Sequence, residues 1–169
     1  VQDIEKMDLW LAKYAELAKH KFPNADDSAE GAGAAGGLGF AFMAFLDGKL
    51  TSGIDLVLEE INIEKHIADA DIVVTGEGQL DSQTVMGKAP IGVAKLAKKY
   101  HKPVIAFAGC ITDGTAVCND FGIDAYFPIL PGAMSLTEAM KPENAYTNLK
   151  NTAVQVLRLI DYYEKNGNV

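Results

Sequence analysis

Three continuous apolar runs, separated by helical patterns, limit this chain more than any other feature. They cover residues 72–75, 104–108 and 125–129. None alternates apolar with polar residues, so each reads as a strand buried on both faces. Between the first two, Ile91, Val93, Ala94, Leu96 and Ala97 recur at helical spacing and end in Lys98 and Lys99. Residues 113–121 read as a short helix before the third run. The order β-α-β-α-β predicts the α/β class, a parallel sheet flanked by helices. Right-handed crossovers place all three strand ends on one edge. That edge gathers residues 76–81, residues 109–113 and Pro131-Gly132, and ligands of open α/β sheets bind there. Three strands are few for such a sheet, so further strands are expected from elsewhere and the chain is expected to be part of something larger.

The flanking segments read as helices. Residues 3–22 carry Ile4, Met7, Leu11, Tyr14 and Ala18 on one stripe, with Trp10 and Leu17 beside it. The stripe is expected to be core. Asp3 and Glu5 suit the helix start, Lys19 to Lys21 its end, and Pro23 stops it. A helix over 38–46 should turn Phe42 and Phe45 inward. Two short helices are expected within 53–69. Ser135 can cap a turn at 136–140. Pro142 suits the first position of a last helix over about 143–165, with Ala145, Leu149, Val156, Ile160 and Tyr163 inward and Gly167 ending it.

With 169 residues, one domain is the usual expectation, and the chain is hydrophobic enough to bury a core. A net charge of −8 argues against a nucleic-acid or anionic-membrane partner, which would need a basic patch. A small anionic substrate stays open, since a pocket can be locally positive. Cys110 and Cys118 form no C-x-x-C, so buried reduced thiols in a cytoplasmic protein are expected. No apolar run approaches the ~20 residues of a membrane span, and no signal peptide is visible. The first residue is Val, which suits a processed or cut N-terminus.

The first strand runs into G-E-G-Q-L-D-S-Q-T-V-M-G-K, read as a Gly-rich loop. Gly76 and Gly78 would let backbone N–H groups approach an anion. Glu77 and Asp81 suit Mg²⁺ held with phosphate oxygens, or acceptance of a hydroxyl proton, or simple capping of the next helix. Lys88 can place its charge on a phosphoryl group or carboxylate, or lie on the surface. Thr112 and Asp113 stand at the second strand's end, as site residues or as caps. Gly31, Gly33 and Gly36 match G-x-G-x-x-G, but no strand precedes them, which weakens a nicotinamide-binding reading. A Walker A loop is absent, because Ser82 and Ala89 stand where Gly and Ser or Thr are needed. No G-x-S-x-G occurs. His20, His66 and His101 are dispersed and expected to be structural or solvated.

Three blocks carry a family likeness: G-A-G-A-A-G-G-L-G-F at 31–40, D-I-V-V-T-G-E-G-Q-L-D-S-Q-T at 71–84, and G-K-A-P-I-G-V-A at 87–94. Together they resemble the bacterial glycerate kinase family of the glycerate 2-kinase type. The resemblance runs over nearly the whole chain but covers only the C-terminal part of the family's protein, without its A-P-D-S-F-K-type N-terminal motif. It implies a Rossmann/flavodoxin-like part of a two-domain fold, with 1–50 a helical and Gly-rich segment and 51–169 the α/β core. It also implies ATP-dependent phosphorylation of D-glycerate to 2-phosphoglycerate with Mg²⁺, the partner being the missing N-terminal half. This chain alone would then be inactive. On that likeness Gly31, Gly33, Gly36, Gly37, Gly76, Gly78, Thr112 and Asp113 contact substrate or phosphate. Glu77 and Asp81 hold metal or accept a proton, and Lys88 neutralises charge, with Asp81 and Lys88 catalytic. The alternative is a non-catalytic module for a small organic acid or phosphate.

Overall fold

A computed structural model describes residues 2–167 and divides the chain at Ser52/Gly53 into two compact units. The first unit holds α1 (Gln2–Lys19) and α2 (Ala34–Leu46). Its core is small: Ala15, Ala18, Ala25, Ala32, Phe40 and Ala44. An aromatic group of Tyr14, Phe22, Phe40 and Phe45 joins it by edge and tilted contacts. The α1 stripe expected to be core is instead exposed; Trp10 is 65% and Leu17 68% accessible, and only the alanines Ala15 and Ala18 are buried. The helix forms where its spacing places it, but what covers its large residues is not decided by spacing.

Regular helix in α2 begins at Leu38, because Ala35, Gly36 and Gly37 take left-handed φ values of 51°, 70° and 92°. Phe40 and Ala44 face inward rather than Phe42 and Phe45, which are exposed although Phe45 keeps its aromatic contacts. The cause is a close approach at Gly39: a Cβ there would lie 2.2 Å from the Gly31 carbonyl oxygen. That contact sets the rotation of the helix.

The second unit runs α3 (Gly53–Glu60), α4 (Ile63–Asp69), β1 (Val73–Leu80), α5 (Ala89–Lys99), β2 (Val104–Ile111), α6 (Val117–Asp120), β3 (Ala125–Pro128), α7 (Leu136–Ala139) and α8 (Pro142–Asn166). The three strands are parallel in the order β1-β2-β3. No strand pairs with the outer side of β1 or β3 among the described residues. One face of the sheet buries Val73, Val104, Ala106 and Ala108 with Ile91, Ala94 and Ala97 of α5, Cys118 of α6, and Ile123. Each fully buried valine or isoleucine among them contributes about 1.5–3 kcal/mol. The opposite face sets Ile105 and Phe107 against Ala153, Val156 and Ile160 of α8.

Two strands are longer than their apolar runs. β1 continues through Gly76, Glu77 and Gly78 to Leu80, and β2 continues past Gly109 to Ile111. Residues 76–80 are therefore strand rather than loop, and neither Gly76 nor Gly78 has a positive φ. Gly76 is needed for closeness, whereas a Cβ on Gly78 would meet nothing within 4 Å. A Cβ on Gly76 would lie 2.8 Å from the Phe107 carbonyl oxygen, and one on Gly109 2.5 Å from that of Gly78. The ladder runs from Val73↔Val104 to Leu80↔Ile111, with Gly78 alone missing from the register.

Caps set the remaining boundaries. Ser135 Oγ accepts from Glu138 N at 3.2 Å, which starts α7. Pro142 opens α8 and Gly167 follows its end. The inward face of α8 passes through Ala145, Asn148, Val156 and Ile160, while Leu149 and Tyr163, expected inward, are exposed. Residues 113–116 form turns, so the helix expected over 113–121 shrinks to α6. Both cysteines are free, with Cys118 buried and Cys110 only half-buried. The three histidines are exposed. Among the described residues, no helix is long and apolar enough to cross a membrane.

Candidate functional site

The carboxyl ends of β1 and β2 enter turns of the same design. At the first, Thr84 N donates to the Asp81 carbonyl at 3.1 Å, and Asp81 N donates to Thr84 Oγ1 at 3.0 Å. At the second, Thr115 N donates to the Thr112 carbonyl at 3.2 Å, and Thr112 N donates to Thr115 Oγ1 at 3.2 Å. Both inner threonines are buried, Thr84 completely. Thr115 Oγ1 also lies 2.8 Å from the Leu80 carbonyl, tying the second turn to the end of β1. The two turns touch, since a Cβ on Gly114 would meet Ser82 Cβ at 3.3 Å. These threonines were not singled out from sequence. The signal was available: D-S-Q-T and T-D-G-T each place a threonine three residues after the first residue past a strand.

Asp81 is the best-held acid of this edge. Its Oδ1 accepts from Gln83 N at 2.9 Å, from Thr84 Oγ1 at 3.1 Å and from Lys88 Nζ at 3.4 Å, while Oδ2 accepts from Gln79 Nε2 at 3.2 Å. Burial works against its charged form. The Thr84 hydroxyl, the Lys88 ammonium and the Gln79 amide outweigh that and hold the carboxyl below the usual carboxylate range. Lys88 is the N-cap residue of α5 and is half-buried. Below the turn, burial and then the Asp81 charge push the Cys118 thiol up.

These contacts bear on a metal. A carboxylate offers about four acceptor positions, two on each oxygen; three donors crowd Asp81 Oδ1, and one, Gln79 Nε2, reaches Oδ2. The Lys88 ammonium already sits on Oδ1, so a cation would have to approach Asp81 at Oδ2, where one acceptor position remains open. Glu77 is exposed, and its Oε1 has one long contact, Gly78 N at 3.3 Å. It fits the single carboxylate that Mg²⁺ can take beside water and phosphate oxygens. Among the described residues no three His, Cys, Asp or Glu side chains converge as a metal site.

The other expected residues are placed as follows. Gly76, Glu77 and Gly109 border an open cavity of about 500 Å³ walled by Val74, Phe107, Ile129 and Leu149. Thr112 and Asp113 are exposed on the second turn. Gly31, Gly33, Gly36 and Gly37 belong to the first unit. There Gly33 and Gly37 border a cavity of about 320 Å³ with Leu11, Tyr14, Phe40, Asp8 and Asp27. Asp27 pairs with Lys19. Carboxylates on that wall favour hydroxyl groups over a phosphate.

The chain is thus a parallel α/β protein whose sheet carries a fixed carboxylate beside an ammonium at the carboxyl edge, the edge where open α/β sheets bind ligands. The family model described as Glycerate kinase family matches residues 1–161, and the chain belongs to that family. It is 49% identical to the glycerate 2-kinase of Escherichia coli (strain K12) over 146 residues, covering 86% of this chain and 38% of that protein. It is 45% identical to the glycerate kinase of Bacillus subtilis (strain 168), covering 89% and 39%. A crystal structure from Salmonella typhimurium LT2, provisionally named glycerate kinase 2, superposes with a TM-score of 0.71 at 40% identity, covering 96% of this chain and 41% of that one. The chain thus spans about two-fifths of the length of these relatives.

Proposed function

We propose that this chain is part of a glycerate kinase that transfers the γ-phosphoryl group of ATP to D-glycerate, giving 2-phosphoglycerate. The observation that carries this is the Asp81–Lys88 pair, 3.4 Å apart at the strand ends, within the blocks shared with the family. In the reaction a substrate hydroxyl oxygen bonds to the γ-phosphorus, the bond to the β,γ-bridging oxygen breaks, ADP leaves, and the hydroxyl proton is lost. Catalysis of this kind is mostly positioning and charge stabilisation. Lys88 is the group that meets the transferring phosphoryl oxygens. Asp81, held in its charged form by the Thr84 hydroxyl, the Lys88 ammonium and the Gln79 amide, is a poor proton acceptor; its role is to aim Lys88. Glu77 is the residue that would hold Mg²⁺, which when bound supplies further charge neutralisation to the phosphates. Gly76, Gly78, Thr112 and Asp113 border the phosphate path. Gly31, Gly33, Gly36 and Gly37 of the first unit are candidate backbone contacts for substrate or phosphate. The remaining contacts come from the rest of the polypeptide, so this chain alone is inactive, and the protein works in the cytoplasm.

The test is ATP-dependent phosphorylation of D-glycerate by the polypeptide that contains these residues. Lys88→Ala should lower kcat about a hundredfold or more, the scale for loss of a charge stabiliser, and Asp81→Ala about tenfold or more. Glycerate binding without turnover in the intact protein would point instead to a binding module. Asp81→Ala within a few-fold of wild type would remove Asp81 from the site.

A further inference from the structure

We infer that Thr84 is a positioning residue for the Asp81–Lys88 pair: its buried hydroxyl fixes the Asp81 carboxylate in the one orientation that holds the Lys88 ammonium. This rests on the kinase reading above for its functional meaning, but not for its geometry. Thr84 has no exposed surface, yet it keeps a polar hydroxyl where valine would be nearly isosteric. The hydroxyl is used twice. Its oxygen accepts from Asp81 N at 3.0 Å, and its proton goes to Asp81 Oδ1 at 3.1 Å. One side chain therefore grips both the backbone and the carboxylate of the same residue. Thr84 further accepts from Lys88 N at its own carbonyl, 3.3 Å away, so the turn also fixes where the lysine starts. Thr115 marks the contrast. It builds the matching turn on β2, but its hydroxyl contacts backbone only: Thr112 N, the Thr112 carbonyl and the Leu80 carbonyl. The first turn thus has the same frame plus a carboxylate and an ammonium. A hydroxyl is required there by chemistry, since a β-branched apolar residue fills the space without gripping Asp81.

The experiment uses the glycerate kinase polypeptide that contains these residues, with two readouts. One is kcat and KM for glycerate. The other is acylation of Lys88 by an amine-reactive ester, followed by mass spectrometry, with exposed Lys65 as internal reference. Thr84→Val should lower kcat about tenfold with KM changed less than about threefold, and should raise Lys88 acylation several-fold as the carboxylate lets go. Thr84→Ser, which keeps the hydroxyl, should restore both. Thr84→Ala removes the hydroxyl without adding bulk and carries the same expectation, which covers failure of the valine variant to fold. Thr115→Val should leave Lys88 acylation at the wild-type rate. Wild-type acylation in folded Thr84→Val or Thr84→Ala, or equal behaviour of Ser and Val, would overturn the assignment. If acylation responds as stated while wild type fails to phosphorylate glycerate, the clamp stands and the kinase reading falls. If wild type turns over and acylation does not respond, the clamp alone falls.

Discussion

The two units solve the same problem in opposite ways. In the second, large side chains go inside; Leu80, Ile91, Ile123 and Val104 are fully buried between sheet and helices. In the first, the buried set is mostly alanine, while Ile4, Met7, Trp10 and Leu17 lie on the surface of α1. Both α1 of the first unit and α8 of the second carry an apolar stripe at helical spacing. The difference lies in whether a partner layer is at hand. Three strands pair through backbone groups and present two wide faces, which α5 and α8 can cover. A pair of helices with a left-handed break at 35–37 offers only a narrow seam. A periodic apolar face says where burial is wanted and not whether it is achieved.

The sharpest way to break this comparison is a pair of truncations. Leu80→Ala should cost about 2–5 kcal/mol by urea denaturation, whereas Leu17→Ala should fall within about 0.5 kcal/mol. Equal costs would show that the α1 face is as well covered as the sheet. Next come the glycines. Gly76→Ala and Gly109→Ala press a methyl against a carbonyl 2.8 and 2.5 Å away, and each should cost about 1–3 kcal/mol. Gly33→Ala in the first unit meets nothing within 4 Å and has an ordinary φ of −77°. It should be neutral or stabilising by about 0.4–1 kcal/mol through the unfolded chain. Ser135→Ala removes the α7 cap and should cost about 1 kcal/mol.

The smallest effect is on pH dependence. At Asp124, burial works against the charge, but Lys98 and the Val104 amide outweigh it and lower the carboxyl's pKa. At Asp26 of the first unit, the Ser28 hydroxyl and amide do the same. A carboxylate with a lowered native value contributes stability that is present above the ordinary carboxylate range and lost as pH falls through the native value. Asp124→Asn and Asp26→Asn should each flatten the loss of stability on acidification below about pH 4. Denaturation series across that range check this. A steeper acid loss in either variant would reverse the assigned sign.

Much of the second unit is legible from residues alone. The apolar runs mark three strands, Pro142 and Ser135 mark helix starts, and the pair Asp81 and Lys88 stands out beside a strand end. What escapes is the extent of β1. Gly76 and Gly78 suggest a flexible loop because glycine is permissive, yet Gly76 is needed for its missing Cβ, against the Phe107 carbonyl, and that need appears only when β2 lies alongside. Thr84 escapes for a related reason, since a threonine three residues past an aspartate is common in exposed turns. Only its complete burial shows that the hydroxyl is committed to Asp81.

The sequence by itself determined the α/β class, the parallel direction of the strands, the placement of most helices and the family, because these follow from local periodicity, caps and contiguous motifs. Tertiary structure alone decided which acid is free and which is bound. Glu77 and Asp81 look interchangeable as residues. Packing gives Asp81 four donors and leaves Glu77 exposed with one. A carboxylate's capacity for metal, proton or ion pair depends on how many of its acceptor positions the fold has already filled.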